Sequence, residues 1–157
     1  MENQELSALF QQNPWFQSLE THHLNKMVEI ASLVQWSEGE ILFSEGDEVD
    51  HLYYLVEGRI AIEIYIPDKG RITILTVGPN DVFGWSSVTP FLRTRTASAR
   101  ASMASKGVAF DSQALIQACE EDHELGFHVY RRLTNIIAGR LSATRLQLID
   151  MYAQVRK

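Results

Sequence analysis

"GEILFSEGDEVDHLYYLVEGRIAI", Gly39 to Ile62, is a series of short β-favouring runs cut at close intervals by turns. "ILF", "HLYYLV" and "RIAI" carry branched and aromatic side chains, while Glu45-Gly46-Asp47 and Glu57-Gly58 supply turn chemistry. The same pattern extends outward. "SLVQW" precedes it, and "RIAIEIYI", "RITILTV", "TASARASM" and "GVAF" follow, separated by Pro67-Asp68-Lys69-Gly70 and Gly78-Pro79-Asn80-Asp81. Ile60, Ile62, Ile64 and Ile66 fall on one face of a strand, and Pro67 to Gly70 reads as a hairpin tip. Many short strands at regular spacing predict a sandwich or barrel over residues 31–110.

The flanks have helical periodicity. In residues 1–30, Leu6, Leu9 and Phe10 share a face before Asn13-Pro14 ends the helix. Thr21 is the expected cap of a second helix carrying Leu24, Met27, Val28 and Ala31. Residues 111–157 begin with "SQALIQACEE", where Leu115, Ala118 and Cys119 share a face. A proline-free run from about His123 to Val155 then predicts one long helix. Ile137, Leu141, Thr144, Leu148, Met151 and Val155 recur at alternating spacings of four and three, the seam of two paired helices. Leu125, Val129, Leu133 and Ile136 form a second stripe that is expected to dock on the strand domain. The whole, 1–157, reads as a single α+β domain.

Composition removes several function classes. Apolar residues are 45% and charged residues 22%, which argues against disorder. The formal charge of −6 argues against general affinity for nucleic acid or anionic membrane. The polar, acidic N-terminus lacks the form of a secretory signal, and no apolar run approaches the ~20 residues of a membrane span. Cys119 is the single cysteine, so no intrachain disulfide forms. A cytoplasmic location is expected.

One segment runs against the acidic balance. "VFGWSSVTPFLRTRTASARASMASKGVAF", Val82 to Phe110, has no Asp or Glu yet carries Arg93, Arg95, Arg100 and Lys106. Together with the glycines Gly46, Gly58 and Gly78 at the strand turns, and with "GPNDVFG" and "RTASARA", it resembles the cyclic-nucleotide-binding domain family, the sensory half of the catabolite activator protein type. The resemblance spans roughly residues 15 to 155. It implies a β-roll (jelly roll) with N-terminal helices, a short phosphate-cassette helix near residues 84–88 and a long C-terminal helix. The chain stops soon after the long helix, so a sensory domain standing alone, without a DNA-binding domain, is expected.

The resemblance also assigns a site. Gly84 becomes the helix-start glycine, with Ser86 and Ser87 in the first turn, where backbone N–H groups suit an anion. Arg95, Thr96 and Ala97 become the arginine triplet, the guanidinium pairing with a phosphate and the hydroxyl adding a hydrogen bond. Trp85 stands where the family places a ribose-binding glutamate, and indole donates but cannot accept a hydrogen bond. Trp85 then either plugs the site or offers a stacking platform. Thr134 and Asn135 are the polar candidates on the long helix for contact with a base.

No nucleophile elbow, catalytic carboxylate pair or Walker-type loop is present, so no catalytic residue, metal ligand or cofactor is expected. The adjacent His22 and His23 are expected to point apart, and His123 and His128 are spaced by five rather than four. Arg93 and Arg100 read as a solvated face. The expected function is a non-enzymatic regulatory module for a cyclic nucleotide such as cyclic AMP or cyclic GMP, or another small phosphate anion. It is expected to homodimerise through Ile137, Leu141, Leu148, Met151 and Val155 and to signal to an unidentified protein partner. The rival is a ligand-free dimeric scaffold whose pocket Trp85 closes.

Overall fold

Strand β3, His51–Glu57, is the centre of the molecule because both of its faces are buried. Leu52 and Tyr54 join one hydrophobic cluster, Tyr53 and Leu55 the other. That double burial explains why "HLYYLV" is a continuous apolar run rather than an alternating one. The computed structural model describes residues 1–89 and 91–155, and the side chain of Val155, expected above at the helical seam, lies outside the described residues.

Among the described residues, eight antiparallel strands form two sheets. The others are β1 (Ala31–Trp36), β2 (Ile41–Phe43), β4 (Ile60–Ile66), β5 (Gly70–Val77), β6 (Val82–Phe83), β7 (Ser98–Ala101) and β8 (Ser105–Asp111). Their orders are β1-β8-β3-β6 and β2-β7-β4-β5. Trp36, Tyr53, Leu55 and Phe83 of the first sheet pack with Ile60, Val77, Ala99 and Ala101 of the second. This is the jelly-roll α+β fold. The β3–β4 turn needs glycine. Gly58 has φ 109°, and an added Cβ would lie 2.1 Å from Ser105 Oγ. Gly78 is not among the residues with positive φ; Asn80, at 72°, takes that role in the β5–β6 turn.

The outer face of the first sheet is covered by helices: α1 (Glu2–Gln12), α2 (Thr21–Glu29), α3 (Ser112–Glu121) and α4 (His123–Val155). Leu6, Phe10, Phe16, Met27, Leu125, Val129 and Leu133 are buried there against Leu52, Tyr54 and Phe110. Each such side chain contributes about 1.5–3 kcal/mol of burial. The 125/129/133 stripe therefore docks as its periodicity predicts. Glu20, not Thr21, caps α2, in a reciprocal capping box with His23. Asp111 caps α3 by accepting from Ala114 N at 2.9 Å. Only Asp122 separates α3 from α4; its Oδ1 accepts from Glu124 N and Leu125 N at 3.1 and 3.2 Å. The second half of α4 keeps Arg140 and Gln147 bonded to the backbone of the roll and leaves Leu141, Leu146, Leu148, Ile149, Met151 and Tyr152 exposed.

Candidate functional site

The cassette expected near residues 84–88 is a short 3-10 helix, Trp85–Val88, capped by Gly84. Gly84 adopts φ 79°, and a Cβ there would lie 2.9 Å from Arg95 Nη1. Glycine thus serves two purposes: it admits the left-handed backbone, and it lets the arginine reach the Gly84 carbonyl.

Arg95 is held from several sides. Nη1 donates to Gly84 O at 2.9 Å; Nη2 donates to His51 O at 2.7 Å and to Asp50 Oδ1 at 3.1 Å. Phe43 lies beneath the guanidinium, 4.1 Å from ring centroid to Cζ. Arg95 is 2% exposed, and desolvation lowers its pKa against the charges of Tyr53 and Asp50. Desolvation also opposes ionisation of Asp50, but His51 and then Arg95 outweigh it and hold that carboxyl below its ordinary value. A desolvated arginine without a partner is costly; the structure supplies the carboxylate of Asp50, just ahead of β3 and outside the acid-free segment.

A cavity of about 310 Å³ lies between the cassette, the second sheet and α4. That is at the lower end of the roughly 300–1,000 Å³ typical of small-molecule sites. Gly84, Trp85, Ser86, Thr96 and Ala97 line it, together with Phe43, Ile62, Ile74, Leu75 and Phe83. Arg95 and Ser87 are not in its wall, although Ser87 Oγ and Arg95 Nε are both buried without a hydrogen-bond partner in the structure. Trp85 forms part of the wall, and the space remains beside it.

From α4 come Arg140, Ala143, Thr144 and Gln147. Arg140 donates to the Val82 carbonyl, and Gln147 Nε2 donates to Ile74 O at 3.3 Å. Desolvation lowers the pKa of Arg140, with Asp81 opposing. Neither Thr134 nor Asn135 lines the cavity: Thr134 Oγ1 bonds back to Tyr130 O at 2.7 Å, and Asn135 is exposed. The polar face toward the cavity begins about one and a half turns further along, at Arg140, and runs on to Gln147. Its signal in the sequence is the spacing of Arg140, Thr144 and Gln147, one face of a helix. Tyr130 Oη donates to Val88 O at 3.2 Å, so α4 touches the chain on both sides of the cassette turn.

Two further expectations are corrected. Arg100 is not simply solvated; it pairs with the buried carboxylate of Glu63. His22 and His23 do not point apart: their ring centroids are 4.0 Å apart, and both approach Asp122. Cys119 is buried, and desolvation pushes its thiol up to about 11. No described helix is long and apolar enough to cross a membrane.

Comparison with known proteins matches residues 33–122 to the family described as "Cyclic nucleotide-binding domain". A CRP-like cAMP-activated global transcriptional regulator of Mycobacterium tuberculosis is 30% identical over 137 residues, 87% of this chain and 58% of the regulator. The chain thus spans little more than half the length of that relative. A cyclic nucleotide-binding domain from Methylobacillus flagellatus superposes with a TM-score of 0.78 at 22% identity, covering 95% of this chain and 83% of the other. The N-terminal domain of a transcriptional regulator from Streptomyces coelicolor gives 0.66 at 26% identity, covering 89% and 94%.

Proposed function

We propose that this chain, which belongs to the cyclic nucleotide-binding domain family, is a non-enzymatic regulatory module that binds a cyclic nucleotide or another small phosphate-bearing anion. The observation that carries this is the cavity of about 310 Å³ bounded at once by the cassette, the roll and α4. Thr96 and Arg140 offer polar contacts in its wall, and Trp85 offers a stacking face. Arg95 stands behind the wall, ready to exchange Asp50 for the anion.

The mechanism follows from the two α4 contacts that flank the cassette. Binding that re-seats Trp85–Val88 pulls on Tyr130 through Val88 and on Arg140 through Val82. The long helix then shifts, and a protein partner reads the shift in a homodimer built on Ile137, Leu141, Leu148 and Met151. Such switching requires that the ligand bind the two helix positions with different affinity.

A second reading rests on Arg95. Its guanidinium is already paired with Asp50 and hydrogen-bonded to two carbonyls, which is what a retired anion site would show. The chain would then be a ligand-free dimeric scaffold. Calorimetry with cyclic AMP, cyclic GMP and non-cyclic phosphates separates the two. Saturable binding that Arg95→Ala weakens about 10- to 100-fold, the scale of a lost charge-assisted contact, supports the module. Absence of binding across the panel supports the scaffold.

A further inference from the structure

Outside the cavity wall, α2 meets the one-residue joint between α3 and α4. His22 and His23 open α2, and Asp122 is the joint. His23 Nε2 lies 3.2 Å from Asp122 Oδ2, and His22 Nε2 lies 3.7 Å from the same oxygen. One donor atom from each of the three lies within 4.8 Å of the others. We propose that His22 Nε2, His23 Nε2 and Asp122 Oδ2 form a binding site for a divalent cation of the zinc class.

Three features beyond the clustering support this. The first is spacing. Two ligands about 2.0–2.1 Å from a tetrahedral zinc-class ion lie roughly 3.3–3.4 Å apart. The two nitrogen-to-oxygen separations bracket that value, and the three ligand atoms lie within 4.8 Å of one another, so the imidazoles need only close on the ion.

The second is an unsatisfied donor. His23 is 1% exposed, and its Nε2 is buried without a hydrogen-bond partner although a carboxylate oxygen stands 3.2 Å away. Buried polar atoms in folded proteins are nearly always satisfied. An imidazole nitrogen near a carboxylate but not bonded to it suits a third atom between them. A cation there takes the Nε2 lone pair. The ring proton then resides on Nδ1, and the long 3.4 Å contact that Nδ1 accepts from the Glu20 amide is given up.

The third is division of labour in the supporting groups. Asp122 uses Oδ1 to cap α4, which leaves Oδ2 for the imidazoles. Glu20 Oε2 stands 3.4 Å from His22 Nδ1 on the other edge of that ring. A carboxylate behind a ligating histidine fixes its ring and tautomer. His22 and Asp122 are open to solvent, which gives the ion an entry path and a place for water as a fourth ligand.

The site would pin α2 to the first residue before α4, the helix whose later turns line the cavity. It stands independently of what fills that cavity. The test uses the 157-residue chain without a histidine tag. Zn2+ is titrated by calorimetry, Co2+ by visible absorption, and thermal midpoints are recorded with and without Zn2+. One ion per chain, a tetrahedral Co2+ spectrum and a raised midpoint are expected. His22→Gln and Asp122→Asn should each weaken binding at least about tenfold. His22 is mostly exposed, and asparagine retains an oxygen able to cap α4, so both variants are expected to fold. Absence of saturable binding to the wild-type chain overturns the proposal, and so does either variant binding Zn2+ as tightly as wild type.

Discussion

Arg95 donates to Asp50 Oδ1 across 3.1 Å, the arginine buried and the carboxylate side chain 61% exposed. The pair is therefore asymmetric. Arg95 cannot lose a partner without leaving a desolvated charge, whereas Asp50 can turn to water. On the proposed function, an anion entering the cassette would compete with Asp50 for one guanidinium. Asp50→Asn removes the charge and keeps an oxygen acceptor. The variant should bind cyclic AMP several-fold more tightly than wild type by calorimetry, while losing on the order of 1 kcal/mol of stability. Weaker binding in Asp50→Asn would show that Asp50 positions Arg95 rather than competing for it.

The same carboxyl gives the fold an acid dependence. His51 and Arg95 hold Asp50 below its ordinary value of 3.8 despite the opposing desolvation. A carboxyl with a lowered folded pKa binds protons less readily in the fold than in the unfolded chain. Its contribution is fully present above about pH 3.8 and is lost as pH falls through the lower folded value. Thermal midpoints measured between pH 6 and pH 3 should fall for wild type and fall less steeply for Asp50→Asn. Asp122 shifts the same way, chiefly through the Leu125 amide, so the variant's curve should flatten without becoming level. Identical slopes for the two proteins would remove Asp50 from the account.

Gly84→Ala tests the cassette entrance from the backbone side. Alanine at φ 79° carries a left-handed penalty of about 1–2 kcal/mol. Its Cβ also falls 2.9 Å from Arg95 Nη1 and 3.3 Å from His51 O. The arginine tip can shift, the carbonyl cannot. Denaturant unfolding should show a loss of roughly 2–3 kcal/mol, larger than the strain alone. A loss under 0.5 kcal/mol would mean that the turn relaxes without cost.

The roll was readable because its strands are short and its turns chemically marked. Gly46 and Gly58 do adopt positive φ, and the runs around "HLYYLV" sit where their composition places them. The cassette turn was readable from Gly84-Trp85-Ser86-Ser87, and α4 from its uninterrupted period. What stayed hidden depends on contacts between residues distant in the chain. Asp50 is 45 residues from Arg95, and only the return of β3 beside the cassette turn brings them together. Arg140 is 58 residues from Val82, and its place in the cavity depends on the rotation at which α4 docks. Helical period narrows that rotation to a face without naming the turn that meets the cavity. His22 and His23 diverge on an ideal helix, yet Asp122 meets both because α3 ends one residue before α4 begins.

The free face of α4 yields the last prediction. Leu141, Leu148 and Met151 are 50%, 52% and 63% exposed, on a helix otherwise anchored by Leu125, Val129 and Leu133. A stripe that exposed on an isolated chain has a large apolar area to bury. Thr144, in the same seam, also lines the cavity, so pairing two copies of α4 would set the dimer beside the ligand site. Scattering-coupled chromatography at micromolar concentration should give twice the 17.9 kDa chain mass. Each seam substitution acts twice in a symmetric pair, at about 1.5–3 kcal/mol per buried leucine. Leu141→Glu with Leu148→Glu should therefore raise the dimer dissociation constant at least about 100-fold and return the single-chain mass. Leu146, 62% exposed, falls outside the four-three repeat, so Leu146→Glu should leave the dimer intact. A dimer that survives the seam pair but not Leu146→Glu would place the interface on the opposite face of the helix, away from the cavity, and would break the proposed link between binding and assembly.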